Sequence, residues 1–289
     1  MTPLPPRKLA IVKAVCDYFT LTRPMIQDVV GMRNDRVVRA NIQDLHIAGL
    51  INKTRVQAVN PISGNPAPVY FPSRIGGELI AAETGDERYL HVCTKTPDWM
   101  HLFHWLDVAR VHITLDRAIK ENPEVQLLGW FGEWDEVNPQ AEKPQDRYRL
   151  YSLIREKPTR LVCAPDAAFA IAIGSHSKSY YLEQDRGSSG IQQIASSKTP
   201  GYSAMLANGL HRRHFSTTAD SFTVLHLCPT PARRDFLRKA VASKEAAFLH
   251  RFAAFGEWTP EMALTAPIFY SCDSQEPQPL IRLPIGGAA

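Results

Sequence analysis

The chain has 289 residues, 44% hydrophobic and 21% charged, and a formal net charge of +4. This is an ordinary globular composition long enough for two domains, and it excludes a uniformly basic nucleic-acid coat. Five scattered cysteines exclude a disulfide framework and every CxxC zinc or redox motif, no apolar run reaches the ~18 residues of a membrane span, and the start MTPLPPRKLA lacks a signal-peptide pattern, so a reducing cytoplasmic compartment is expected.

The charge is unevenly placed. Residues 1–82 net +5 and the remaining residues net −1. The excess positive charge therefore sits in the first quarter of the chain, where it points to a polyanion.

That quarter predicts a compact helical unit. Leu9, Val12, Val15, Cys16 and Phe19 recur at helical spacing, giving a helix from about Arg7 to Phe19. Thr20 to Thr22 offer an N-cap to a second helix, with Pro24 in its first turn and Gly31 after its end. Asn34 or Asp35 caps a third helix with Val38, Ile42 and Leu45 on its apolar face, ending at Ala48 and Gly49. A strand from Leu50 to about Val59, a turn-rich loop from Asn60 to Pro66, a strand at Val69 to Phe71 and a helix from Ile75 to Ala82 follow. Three helices and a two-stranded wing make a winged helix-turn-helix over residues 1–83. Its third helix would enter the major groove with Arg33, Asn34, Arg36 and Arg39 at its base-reading end, while Lys53 and Arg55 meet phosphates. The plainer alternative is a solvated face of a three-helix unit.

Residues 84–256 predict an α/β domain, and 257–289 an irregular, proline-rich tail. Asp98 caps a helix from Trp99 to Lys120 that carries His101, His104 and His112 on roughly one face. A strand from Val125 to Glu133 and a polar stretch to Pro158 follow. Next come a strand from Arg160 to Ala164 and a hairpin of Ala167–Ile173 and Ser179–Gln184 about Gly174 and Ser175. Gly187 to Leu210 reads as helix interrupted at Pro200 and Gly201, Phe222 to Cys228 as a buried strand, and Pro231 to Phe255 as a basic helix. A basic loop, LHRRHF, carries His211, Arg212, Arg213 and His214. The absence of GxxxxGK[ST] and of GxSxG argues against a nucleotide site and a serine nucleophile.

Four acids fall at strand ends: Glu133, Asp166, Glu183 and Asp185. If the hairpin pairs as written, Asp166, Glu183 and Asp185 gather at one end of the sheet. Carboxylates so placed suit Mg²⁺ with part of its water shell, and such an ion activates water and offsets charge on a scissile phosphate. The bland reading of the same acids is charge on an exposed strand edge.

Pro165-Asp166 followed by Glu183-Gln184-Asp185 resembles the PD-(D/E)xK motif of restriction-endonuclease-like folds. The resemblance implies Mg²⁺ on Asp166 and Glu183, with Glu133 as a further ligand, and a lysine that orients the water. Asp185 stands in the lysine's place. Some members of that fold supply the lysine from the following helix, a position that Lys198 would fill. A broader resemblance, carried by LHIAGLI, HWLDVARVHITL, PDAAFAI and YYLEQDRGSSG, is to the replication-relaxation family of bacterial plasmids and mobile elements. It implies a cytoplasmic, nucleoid- or plasmid-associated homodimer that binds double-stranded DNA in replication, transfer or transcriptional regulation. The missing motif lysine implies a degenerate nuclease domain. The alternative is a Mg²⁺-dependent nuclease or nickase using Asp166, Glu183, Asp185 and Lys198.

Overall fold

The computed structural model describes residues 3–55, 67–98, 101–215, 217 and 219–283. The chain divides into two compact units, residues 1–113 and 114–289. The division expected at 83/84 therefore falls later, inside a long helix. The first part of that helix supplies Leu102, Leu106, Ala109 and Ile113 to the same apolar cluster as Ile11, Val15, Ile26, Ile42 and Leu45. Burying each of the leucine and isoleucine side chains contributes about 1.5–3 kcal/mol, which ties the segment to the first unit.

The first unit runs α1 (Pro6–Tyr18), β1 (Leu21–Thr22), α2 (Arg23–Val29), α3 (Asp35–Ile47), β2 (Ile51–Thr54), β3 (Val69–Pro72) and α4 (Arg74–Thr84). Each later helix starts on a side-chain cap: Thr22 Oγ1 accepts from the Met25 N–H, Asn34 Oδ1 from Val37 and Ser73 Oγ from Gly76. After α3 the chain turns through Gly49, whose φ of +71° favours glycine. The three strands form an antiparallel sheet in the order β1-β3-β2. The loop expected at Asn60–Pro66, and the strand beyond Arg55, lie outside the described residues.

The long helix α5 (Leu102–Glu121) crosses the division. In the second unit β4 (Val125–Gly132), α6 (Pro144–Arg147) and a small hairpin of β5 (Ser152–Arg155) and β6 (Leu161–Cys163) follow. Then come β7 (Ala167–Ile173), β8 (His176–Gln184), α7 (Ile191–Ser197), α8 (Thr199–Ala207), β9 (Thr223–Cys228), α9 (Pro231–Ala242), β10 (His250–Ala254) and β11 (Tyr270–Ser271). The main sheet has the order β11-β10-β9-β8-β7-β4. Strands β4, β7 and β8 pair antiparallel, and β9 and β10 add in parallel through crossovers that contain α7, α8 and α9.

Two expectations need correction. The basic helix expected to run to Phe255 stops at Ala242, and His250–Ala254 is a sheet strand with four of its five residues buried. A strand buried on both faces has no alternating pattern to betray it. The terminal segment is irregular in backbone but packed. Strand β11 pairs with β10, Ala263, Leu264, Ile268 and Phe269 are buried, and the Tyr180 hydroxyl donates to the Leu280 carbonyl at 3.3 Å.

Candidate functional site

Register places the first two site residues. Ala167 pairs with Leu182, so the next positions outward, Asp166 and Glu183, stand opposite each other on the face that also carries Ala168 and Tyr181. The main chain closes this end of the sheet. The Asp166 N–H donates to the Leu182 carbonyl at 3.1 Å, and Asp166 Oδ2 accepts the Gln184 N–H at 2.6 Å.

The helical segment after β8 supplies the cation. Pro200 cannot continue a helix, so α7 ends and α8 begins at the junction, and Lys198 sits there. Close packing of α8 on β6 depends on Gly201, where a Cβ would come within 2.6 Å of the Val162 carbonyl. From this junction Lys198 Nζ reaches Glu183 Oε2 at 2.8 Å, Asp166 Oδ1 at 3.8 Å and the Ala164 carbonyl at 3.1 Å. One turn on, the Tyr202 hydroxyl donates to Glu183 Oε1 at 2.5 Å.

Burial sets the electrostatics. It pushes the Glu183 carboxyl up to about 7, the Asp166 charge adding to the rise and Lys198 and Tyr202 opposing it. Burial works against the Lys198 ammonium, but the Glu183 and Asp166 carboxylates outweigh it and hold the group above the ordinary lysine value. Burial, reinforced by the Glu183 charge, raises the Tyr202 phenol well above its ordinary value, so it remains a donor. The arrangement is thus two buried carboxylates bridged by one half-exposed ammonium, a charge-paired cluster that would be costly without the lysine.

Asp185 and Glu133 are placed differently. The Asp185 carboxylate is gripped by the Arg233 guanidinium at the start of α9, with a second bond from Nη2 at 3.0 Å, and it accepts the Gly187 N–H at 2.8 Å. Arg233 also donates to the Ser189 carbonyl at 2.6 Å, fastening the loop after β8. Glu133 gives its backbone N–H to the Asp166 carbonyl at 2.9 Å. Among the described residues no three His, Cys, Asp or Glu side chains are grouped to hold a metal ion, so the three-acid set with Glu133 is not assembled. Lysine compensates two buried acids; a third would lack a partner.

Sequence reasoning missed Tyr202 and the pairing of Arg233 with Asp185. Tyr202 was legible as the i+4 neighbour of Lys198. The Arg233–Asp185 pair spans two elements and left no local signal. Of the histidines expected to share a helix face, His112 is buried edge-on to Tyr18, burial driving it down to about 3, while His101 is exposed and stacks on Trp105. In the LHRRHF segment His211 and His214 are also buried, bonded to the Ala219 carbonyl and the Tyr181 hydroxyl, and Arg212 pairs with Asp220.

In the first unit the expected basic residues lie where a partner could reach them. Arg33, Asn34, Arg36, Arg39 and Arg55 are exposed and Lys53 is half-buried. Asn34 Oδ1 is already engaged in capping α3.

A mixed α/β chain with this carboxylate–lysine cluster defines the class. The chain belongs to the replication-relaxation family: the model of that family, described as Replication-relaxation, matches residues 15–220, well over half of the protein. No curated protein matches it. Among solved structures, restriction endonuclease FokI is similar at 13% identity and a TM-score of 0.27, over 89% of this chain. The chain spans 43% of the length of that structure. Among the described residues no helix is long and apolar enough to cross a membrane.

Proposed function

We propose that the protein binds double-stranded DNA through its first unit, which we read as a winged helix-turn-helix. The observation that carries this reading is the exposed basic face of α3. Arg36 and Arg39 form no hydrogen bond or ion pair among the described residues, and Arg33, Lys53 and Arg55 extend the positive surface. Family membership supports a role in replication, transfer or regulation of a plasmid or mobile element. Binding as a homodimer to paired half-sites is part of the same reading. Gel-shift titrations at several salt concentrations test it, with affinity expected to fall steeply as salt rises. Binding unchanged when Arg36 and Arg39 are both replaced by alanine would sink it.

A second reading, metal-dependent strand cleavage by the second unit, is favoured by Lys198. The lysine of the PD-(D/E)xK pattern is absent from position 185, yet the Lys198 ammonium stands against both acids. Asp166 and Glu183 are hard oxygen donors that suit Mg²⁺, and they are the residues that would hold it. Bound there, the ion would lower the pKa of a water molecule and offset charge on the phosphate. Tyr202 fixes the orientation of Glu183, and Lys198, the most exposed member, is positioned to donate to a phosphate oxygen or hold an attacking water. Incubation of supercoiled plasmid with Mg²⁺ or Mn²⁺ tests the reading. Nicking that persists in Asp166→Ala would refute it.

A further inference from the structure

The exposed surface of α3 is not chemically uniform. A helix advances roughly 100° per residue. Val38, Ile42 and Leu45 point into the core, so the line turned farthest outward carries Arg36, Ala40, Gln43 and Ile47. All four are exposed, Ile47 at 74%. Arg39 lies on the same flank as His46, seven residues on, whose ring nitrogen bonds the Ile51 carbonyl of β2 at 3.2 Å, so this flank is the one beside the sheet. The other flank is closed by Asp44, bound to Lys8 of α1 at 2.7 Å. Asp35, the remaining acid near the helix start, is paired with Arg23 at 3.1 Å.

From this division we propose that α3 separates reading from holding: Arg36, Ala40 and Gln43 contact base edges in the major groove of B-form DNA, while Arg39, with the exposed Arg55 that follows β2, grips the phosphate backbone. The inference rests on the DNA-binding reading above. Each reading residue has a chemical counterpart. A guanidinium bonds in two places to guanine O6 and N7, a carboxamide does the same with adenine N6 and N7, and a methyl side chain packs on the thymine methyl. Ala40, small and central, lets the helix axis approach the groove floor between the two longer readers. The proposal also removes Asn34 as an adenine reader. Two-point recognition of adenine needs the amide oxygen and nitrogen turned together onto the base edge, and Asn34 Oδ1 is instead turned onto the Val37 N–H of its own helix at 3.2 Å. The preferred duplex therefore contains a guanine and an adenine separated by a step that tolerates thymine.

The test is selection of binding sites by the full chain from a random duplex pool at fixed salt. Equilibrium titrations of the recovered site and its single-base variants then follow. Arg36→Ala is expected to lose about tenfold discrimination at one guanine, and Gln43→Ala to lose discrimination at one adenine. Arg39→Ala is expected to weaken all sequences alike and reduce the salt slope by about one, leaving base preference intact. Base preference that changes with Arg39→Ala but survives Arg36→Ala and Gln43→Ala would overturn the proposal. So would equal competition from an A-form RNA duplex, whose major groove is too deep and narrow for the helix. If the wild-type protein shows no salt-dependent duplex binding, the parent reading fails instead, and the two failures are told apart by that first titration.

Discussion

The two units handle charge in opposite ways. In the first, Arg36 and Arg39 of α3 and Arg55 after β2 stand in solvent, and the unit's core is almost wholly apolar. In the second, an aspartate, a glutamate and four histidines are buried within or beside the sheet. Exposed charge keeps its hydration until a partner displaces it, which suits reversible attraction to a polyanion. Buried charge has lost that hydration and must be held by neighbours, which fixes its geometry and shifts its proton affinity. The difference separates a surface whose charges stay hydrated from an interior whose charges are fixed by their neighbours.

That contrast is sharpest at Lys198. Replacing it with methionine keeps bulk and removes the ammonium that bridges Glu183 and Asp166. If the second unit nicks plasmid DNA as in the second reading proposed above, nicking is expected to fall about 100-fold or more, the scale of losing one charge-stabilising donor. DNA affinity measured in chelator should change little. Loss of affinity together with nicking would erase the division of labour.

An effect of comparable size, on stability, is expected from acid. Burial, followed by the nearby Arg149, lowers His214 to about 4, and burial, followed by Arg251, does the same for His250. A group whose folded pKa is depressed contributes stability that is present above its unfolded value, near 6.5, and is lost as pH falls toward 4. Thermal unfolding of the second unit should therefore lose on the order of 3 kcal/mol per histidine across that window. His214→Phe should flatten the slope whatever it does to absolute stability, and an unchanged slope would remove His214 from the account.

Packing behind the site comes next. Gly201→Ala drives a methyl group into the Val162 carbonyl, at a cost of about 1–3 kcal/mol in denaturant unfolding, with a fall in nicking as Lys198 shifts. Full stability with full nicking would show that α8 does not set the lysine. The smallest effect is Asn34→Ala. It should cost about 1 kcal/mol of stability through the lost cap while leaving base preference unaltered. A changed preference would return Asn34 to the reading surface.

Much of this was legible from local pattern. The caps at Thr22 and Asn34, the apolar spacing of α1 and α3 and the hairpin of β7 and β8 depend on neighbours within a few residues, and they stand close to the expected positions. Strand β10 was not legible, because HRFAA reads as well for the continuation of a helix as for a strand buried on both faces. The division between the units was misplaced for a related reason. An amphipathic helix shows that it has an apolar stripe but not which core will take it, and Leu102 to Ile113 join the first.

At the site, sequence alone determined the chemistry on offer: acids at the ends of two strands, and a lysine before a helix-breaking proline. Which of them meet was decided only in three dimensions. Asp185, the acid in the lysine's motif position, is drawn to Arg233, 48 residues away, and Lys198 crosses to Glu183 and Asp166. Hydration cost is the physical reason. Buried charges must find opposite charges at short range, and the partner within reach is set by the path of the backbone through space, not by distance along the chain.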